Sequence, residues 1–227
     1  MTVRVTLLAT LALLAGCSSA DHMHGEFGAH GSLFLINGAS VAGTVKVYLD
    51  GHNQGTLGVA QQYTNGDMPT GSHLLEVRLS NGSLGFSRQI SLADHDMLTI
   101  IALDSSGVLR STILADSNAV VPAGATKLRV AHYAQASSGI DIWRTQPDYG
   151  TPIRVQFPFN YQDVSPYLQS TVGNWEVMVS TPVVNPGDPI PDTLATTGVF
   201  PIPEGASRTV LVVDGAAGGV ELLVVAP

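Results

Sequence analysis

The chain has 227 residues, with 10 Lys+Arg against 18 Asp+Glu, a formal net charge of −8 and a single cysteine. An acidic chain whose only lysines are Lys46 and Lys127, with no basic cluster, is a poor match for phosphate backbones, which argues against nucleic acid as a partner. One cysteine excludes an intrachain disulfide, so stability must come from apolar burial; 24 Gly and 13 Pro with 12% charged residues read as an all-β chain punctuated by turns.

Arg4 precedes an uncharged apolar stretch from Val5 to Ala15, shorter than the roughly 20 residues of a membrane-spanning helix. A charged start, an apolar centre and a small-residue end describe a secretory signal peptide over residues 1–16. Leu14-Ala15-Gly16-Cys17 resembles the lipobox of bacterial lipoproteins. The resemblance implies cleavage before Cys17, a diacylglycerol thioether on its sulfur and acylation of the new amine by a chain such as palmitate. Each buried methylene contributes about 0.8 kcal/mol and one chain binds only marginally, so several chains on one residue anchor without a transmembrane helix. Ser18, where an Asp would signal inner-membrane retention, points to the outer membrane of a two-membrane cell envelope. Loss of Arg4 with the signal peptide leaves nine basic residues (ten less one) against 18 acidic ones.

Residues 17–31 have no periodicity and read as the lipidated cysteine and a flexible tether. His22, His24 and His30 lie in this segment, and His-x-His spacing suits Cu(II), Ni(II) or Zn(II). A structural zinc site closes with four ligands in a fixed frame, which a tether does not supply. A solvated spacer is the expectation, and no metal or other cofactor is assigned.

From Ser32, short alternating runs recur between turn signals: SLFLIN, then TVKVYLDG with Val45, Val47 and Leu49 on one face. Asp50-Gly51 predicts a hairpin turn. HLLEVRL, SRQISL, MLTIIAL and VLRSTIL continue to roughly seven strands. The second half replays this order. KLRVAHYAQASSGIDIW aligns with SLFLINGASVAGTVKVY, GNWEVMV with SHLLEVRL (Trp175 opposite Leu75), and SRTVLVVDGAAGGVELLVVA with HDMLTIIALDSSGVLRSTILA. The expectation is two tandem immunoglobulin-like Greek-key β-sandwich domains, residues 32–122 and 126–227, joined at VVPAGAT.

LRVAHYAQASSGIDIW and VKVYLDG resemble the domain of unknown function 4397, whose opening reads roughly V-R-V-x-H-A-S-P-x-A-x-x-V-D-V-Y-V-D-G. The second stretch keeps Arg129, Val130, His132 and Asp141 but lacks the Ser-Pro pair and has Trp143 for Tyr. The first keeps Tyr48, Asp50 and Gly51, with Asn37 at the His position and Lys46 at the Asp position. The resemblance implies tandem β-sandwiches on secreted or anchored bacterial proteins, and it implies no reaction.

His132 is in phase with Leu128 and Val130, so its ring is expected in or at the rim of the core. Asp141 is out of phase with Ile140 and Ile142, which disfavours a catalytic His–Asp pair because a base needs its orienting partner within hydrogen-bond reach. Asp94 and Asp96 flank His95 in one turn, and Asp188 and Asp192 lie in the proline-rich NPGDPIPD. Carboxylates in turns bond their own backbone. The nucleophile-elbow, zinc-protease, phosphate-loop and dinucleotide motifs are absent, and no catalytic residue is assigned. Trp175 alternates with Val177 and Val179 and belongs in the core. Trp143 falls on the outward face, followed by Tyr149, Tyr161 and Tyr167 in a turn-rich segment; these four are the candidate ligand-binding residues. The function expected is a non-enzymatic binding or structural module, held to the membrane by its lipid, with an envelope protein or glycan as partner. The alternative is a carbohydrate-active or other hydrolase built on loop carboxylates.

Overall fold

A computed structural model describes residues 28–105, 107–115, 121–137, 139–145, 152–185 and 187–226. The first half of the chain forms β1 (His30–Asn37), β2 (Val45–Leu49), β3 (His52–Leu57), β4 (Gln62–Pro69), β5 (Gly71–Leu79), β6 (Leu84–Leu92), β7 (Met97–Ser105) and β8 (Val108–Ala115). The second forms β9 (Ala125–His132), β10 (Ile140–Thr145), β11 (Ile153–Phe159), β12 (Leu168–Thr171), β13 (Gly173–Ser180), β14 (Thr193–Thr196), β15 (Phe200–Ile202), β16 (Ser207–Asp214) and β17 (Val220–Val225). The fold is all-β, a set of packed β-sandwich layers.

Strand order is the same in both halves. Sheets β4-β1-β7-β8 and β3-β2-β5-β6 face each other in the first; β12-β9-β16-β17 and β11-β10-β13-β14 do so in the second, with β15 added on β13. In each half one pair is parallel, β1 with β7 and β9 with β16, and the other pairs are antiparallel. Sequence reading expected about seven strands in the first half, where there are eight, and its six named runs leave out β3 and β4. Their HNQGTL and QYTNGDMP are mostly exposed, so no apolar alternation marks them. β1 also begins at His30, inside the stretch read as tether, because His30 and Gly31 pair with Pro69 and Met68.

Two different hydrophobic patterns have two different causes. β2 and β5 bury one face and alternate, with Val45, Val47, Leu49, Leu75 and Val77 in the first core. β1, β7, β9 and β16 are buried on both faces and read as continuous apolar runs. Leu33, Leu35, Ile100 and Ala102 point into the first core, and Val130, Val210 and Val212 into the second. Their neighbours point the other way into a third cluster: Phe34, Ile36, Ile101 and Leu103 against Ala131, Tyr133, Leu211 and Val213. The two sandwiches therefore stack through one sheet each, giving four sheet layers and three apolar interlayers.

The Asp50-Gly51 turn forms as expected, with φ of 50° and 79°, left-handed at both central residues of a two-residue hairpin. It is tied to β5. Asp50 accepts from the Leu74 N–H at 2.8 Å, and its other carboxylate oxygen lies 2.7 Å from His73 Nδ1, while His73 Nε2 donates to the Pro69 carbonyl at 2.9 Å. Trp175 is the counterpart of His73, not of Leu75 as the sequence alignment had it. Both stand two residues after a glycine of positive φ, Gly71 and Gly173, and Trp175 Nε1 likewise donates to the carbonyl four residues back, Thr171, at 2.9 Å. The two-residue offset preserves strand phase, so Trp175 is in the core as expected, 2% exposed.

Truncating Trp175 to Ala should destabilise the second half by about 3–5 kcal/mol, a large share of the about 5–15 kcal/mol that holds a typical domain together. A melting curve superimposable on wild type would refute the packing described. His73 yields a pH-dependent expectation. Its hydrogen bonds to Asp50 and then to Pro69 favour the imidazolium and raise its pKa above the ordinary 6.5; His73 and the Leu74 N–H hold Asp50 below 3.8. The His73 contribution is complete below pH 6.5 and fades as pH rises through its raised folded value. That of Asp50 is present above pH 3.8 and fades as pH falls through its lowered one. Melting temperatures from pH 5 to 9 should thus fall more on the alkaline side for wild type than for His73→Gln; parallel curves would remove the pair from the account.

Candidate functional site

A strand buried on both faces leaves no solvent for a polar side chain at its end. β1 and β9 end on such residues, Asn37 and His132, both fully buried. Asn37 Oδ1 accepts the Ala39 N–H at 3.1 Å, and Nδ2 donates to the carbonyls of Gly43 at 2.7 Å and Gly58 at 3.1 Å. His132 repeats the arrangement with a ring: Nδ1 accepts the Ala134 N–H at 3.3 Å and Nε2 donates to the Ser137 carbonyl at 3.0 Å. That network assigns the neutral Nε2–H tautomer, and burial pushes the pKa below 6.5. His132 stacks on Phe159 inside the second sandwich. Asp141 sits on the outer side of the opposite sheet, where Arg154 Nη2 lies 2.8 Å away and the Val183 N–H donates to it at 2.8 Å. The two belong to separate networks, as their opposite phases implied.

The loops leaving β1 and β9 are each held by an aspartate at the end of the parallel partner strand. Asp104 accepts the N–H groups of Val41 (2.6 Å) and Ala42 (3.3 Å), and Asp214 those of Gln135 (3.1 Å) and Ala136 (2.8 Å). The Gln135 side chain crosses the seam, donating from Nε2 to the Asp104 carbonyl and to the Tyr161 hydroxyl. Asp104, Asp214, Gln135, Val41 and the glycines of the β16–β17 turn enclose a cleft of about 280 Å³ that exists only with both halves docked. A carboxylate offers about four lone-pair sites. Each aspartate gives two to the backbone, so the rest can accept from a hydroxyl-rich or cationic ligand. Sequence reading aligned the two stretches and missed the loop-holding role; an aspartate at the end of both TIIALD and TVLVVD was the available signal.

Of the four ligand-binding candidates, Trp143 is corrected. It is on the outer face as expected, yet only 8% exposed. Its Nε1 donates to Ser180 Oγ at 2.9 Å, and the Arg154 guanidinium lies 6.0 Å from the ring centroid. An indole with its N–H satisfied and its ring covered has no free face for a ligand. Tyr167 is half-buried, beneath the Arg129 guanidinium (4.4 Å) and 3.2 Å from Thr209 Oγ1. Tyr161 is half-buried edge-on to His132 and, through Gln135, borders the seam cleft. Tyr149 lies outside the described residues.

Cys17, His22 and His24 also lie outside the described residues. His30 is in β1 with Nδ1 3.0 Å from Asp67 Oδ1. Among the described residues, no three His, Cys, Asp or Glu side chains converge as a metal site requires. The turn carboxylates bond backbone: Asp94 accepts the His30 N–H, Asp96 the Ala93 N–H and Asp188 the Asn185 N–H. Asp192 is exposed in the same proline-rich loop as Asp188.

No curated protein matches the chain. Among solved structures, a leucine-rich repeat protein from Bacteroides thetaiotaomicron VPI-5482 is similar at 10% identity and a TM-score of 0.21. The match covers 80% of this chain but 26% of that one, a likeness too slight to carry fold or function. The family model described as Domain of unknown function (DUF4397) matches residues 31–143, a span that takes in both family-like stretches and ends at Trp143. Residues 31–143, spanning β1 through β10, carry a DUF4397 domain.

Proposed function

We propose that the chain is a lipid-anchored cell-envelope protein, two DUF4397-type immunoglobulin-like sandwiches in tandem acting as one non-enzymatic binding or structural module. Leu14-Ala15-Gly16-Cys17 supports the anchor. The observation that carries the module reading is the apolar seam of Phe34, Ile36, Ile101 and Leu103 against Ala131, Tyr133, Leu211 and Val213. A seam of this kind makes the two sandwiches a rigid body standing off the membrane rather than two beads on a linker. The seam cleft of Asp104, Asp214 and Gln135 then offers a glycan or an envelope protein a surface that neither half has alone. Turn carboxylates engaged with backbone N–H groups favour this reading over a hydrolase.

Cys17→Ser should move the protein from the membrane pellet to the soluble envelope or secreted fraction and abolish acyl-chain mass on the N-terminal peptide. Sedimentation unchanged by the substitution, with an unacylated wild type, would end the lipoprotein reading. Calorimetry tests the rigid body: wild type should unfold in one transition, and Leu211→Glu, which puts a carboxylate in the seam, should split it into two. Two independent transitions already in wild type would refute it.

A further inference from the structure

The inner face of β10 carries Ile140, Ile142 and then Arg144, all in one phase. Arg144 pairs with Val177 on β13 as Ile142 pairs with Val179, just as Leu49 pairs with Leu75 and Val47 with Val77 in the first half. Arg144 thus occupies the place of Leu49, a buried member of the first core. A guanidinium at the inner end of a sandwich is costly unless something answers its charge. Its carbon lies 5.1 Å from the Trp175 ring centroid, so one face is stacked on the indole. Its Nε is buried without a hydrogen-bond partner, and no carboxylate of the described residues forms an ion pair with it.

The group opens onto a cleft of about 370 Å³ walled by Gly124, Gln169, Ser170, Thr171 and Trp175, none of them acidic. The Thr126 hydroxyl lies 3.3 Å from both Ser170 Oγ and the Thr171 carbonyl, which places the Ser170 hydroxyl at the cleft wall. A stacked guanidinium with no ion-pair partner among the described residues, beside a hydroxyl and an amide, suits a planar or tetrahedral oxyanion held by paired N–H groups. We propose that this cleft at the end of the second sandwich binds an oxyanion, the carboxylate or phosphate group of a sugar-sized molecule, with Arg144 as its anchor. It is separate from the seam cleft, and it does not depend on the module reading.

The test is titration calorimetry on the full chain at constant ionic strength, with D-glucuronate as the carboxylate probe and inorganic phosphate and glucose 1-phosphate as phosphate probes. Wild type should bind at least one class saturably at about 1 mM or tighter, and the bound anion should raise its melting temperature. The pattern across the three probes separates carboxylate from phosphate recognition. Arg144→Leu, which restores the residue type found at position 49, should fold and lose binding. Arg144→Lys, which keeps charge without the planar fork, should weaken it by about tenfold. No saturable binding to wild type by any probe would overturn the proposal, as would undiminished binding by Arg144→Leu. Should Arg144→Leu fail to fold, undiminished binding by Arg144→Lys overturns it and a loss of affinity supports it.

Discussion

Everything distinctive in this molecule depends on four strands, β1, β7, β9 and β16, having no solvent-facing side. Each parallel pair closes one sandwich core with half its side chains and the seam with the other half. Burial at about 25 cal/mol per Å² of apolar surface drives both packings at once, so the seam follows from the composition of those strands and not from a separate interface. Apolar runs also forbid unsatisfied polar groups at the strand ends. That is why Asn37 and His132, though chemically unlike, both accept the N–H two residues on and donate to a loop carbonyl.

The two halves are instructive where corresponding places differ. His73 and Trp175 share a position after a left-handed glycine and the same N–H to carbonyl bond, but one is a titrating partner of Asp50 and the other fills a core. Asp104 and Asp214 hold equivalent loops, and their approach across the seam creates the cleft. Leu49 and Arg144 diverge furthest, from an apolar filler to a guanidinium stacked on Trp175. The backbone geometry recurs while the chemistry at fixed places changes. In such a fold the chemistry-bearing residues are therefore to be sought at the places of difference.

Trp143 shows the limit of strand phase as a guide to exposure. Alternation placed it on the outer face, and it is there. Phase reports which side of a sheet a residue takes, not what lies over that side. Arg154 from the neighbouring β11 covers the ring and Ser180 takes the N–H, neither of which is near in sequence.

Read alone, the sequence determined the β class, the Asp50-Gly51 hairpin, the inward Trp175 and the opposed faces of His132 and Asp141, because turn chemistry and two-residue alternation are local. The runs SLFLIN, TIIALD, RVAHYA and TVLVVD were read as alternating strands, and the burial of both their faces came from the structure. Only the tertiary structure decided what they bury against, since a run with two apolar faces does not say whose surface covers the second. The polar strands β3 and β4 and the bridge from Gln135 to Asp104 likewise depend on partners remote along the chain. So does the Arg144 Nε, buried without a hydrogen-bond partner among the described residues: that is a property of packing and not of order along the chain.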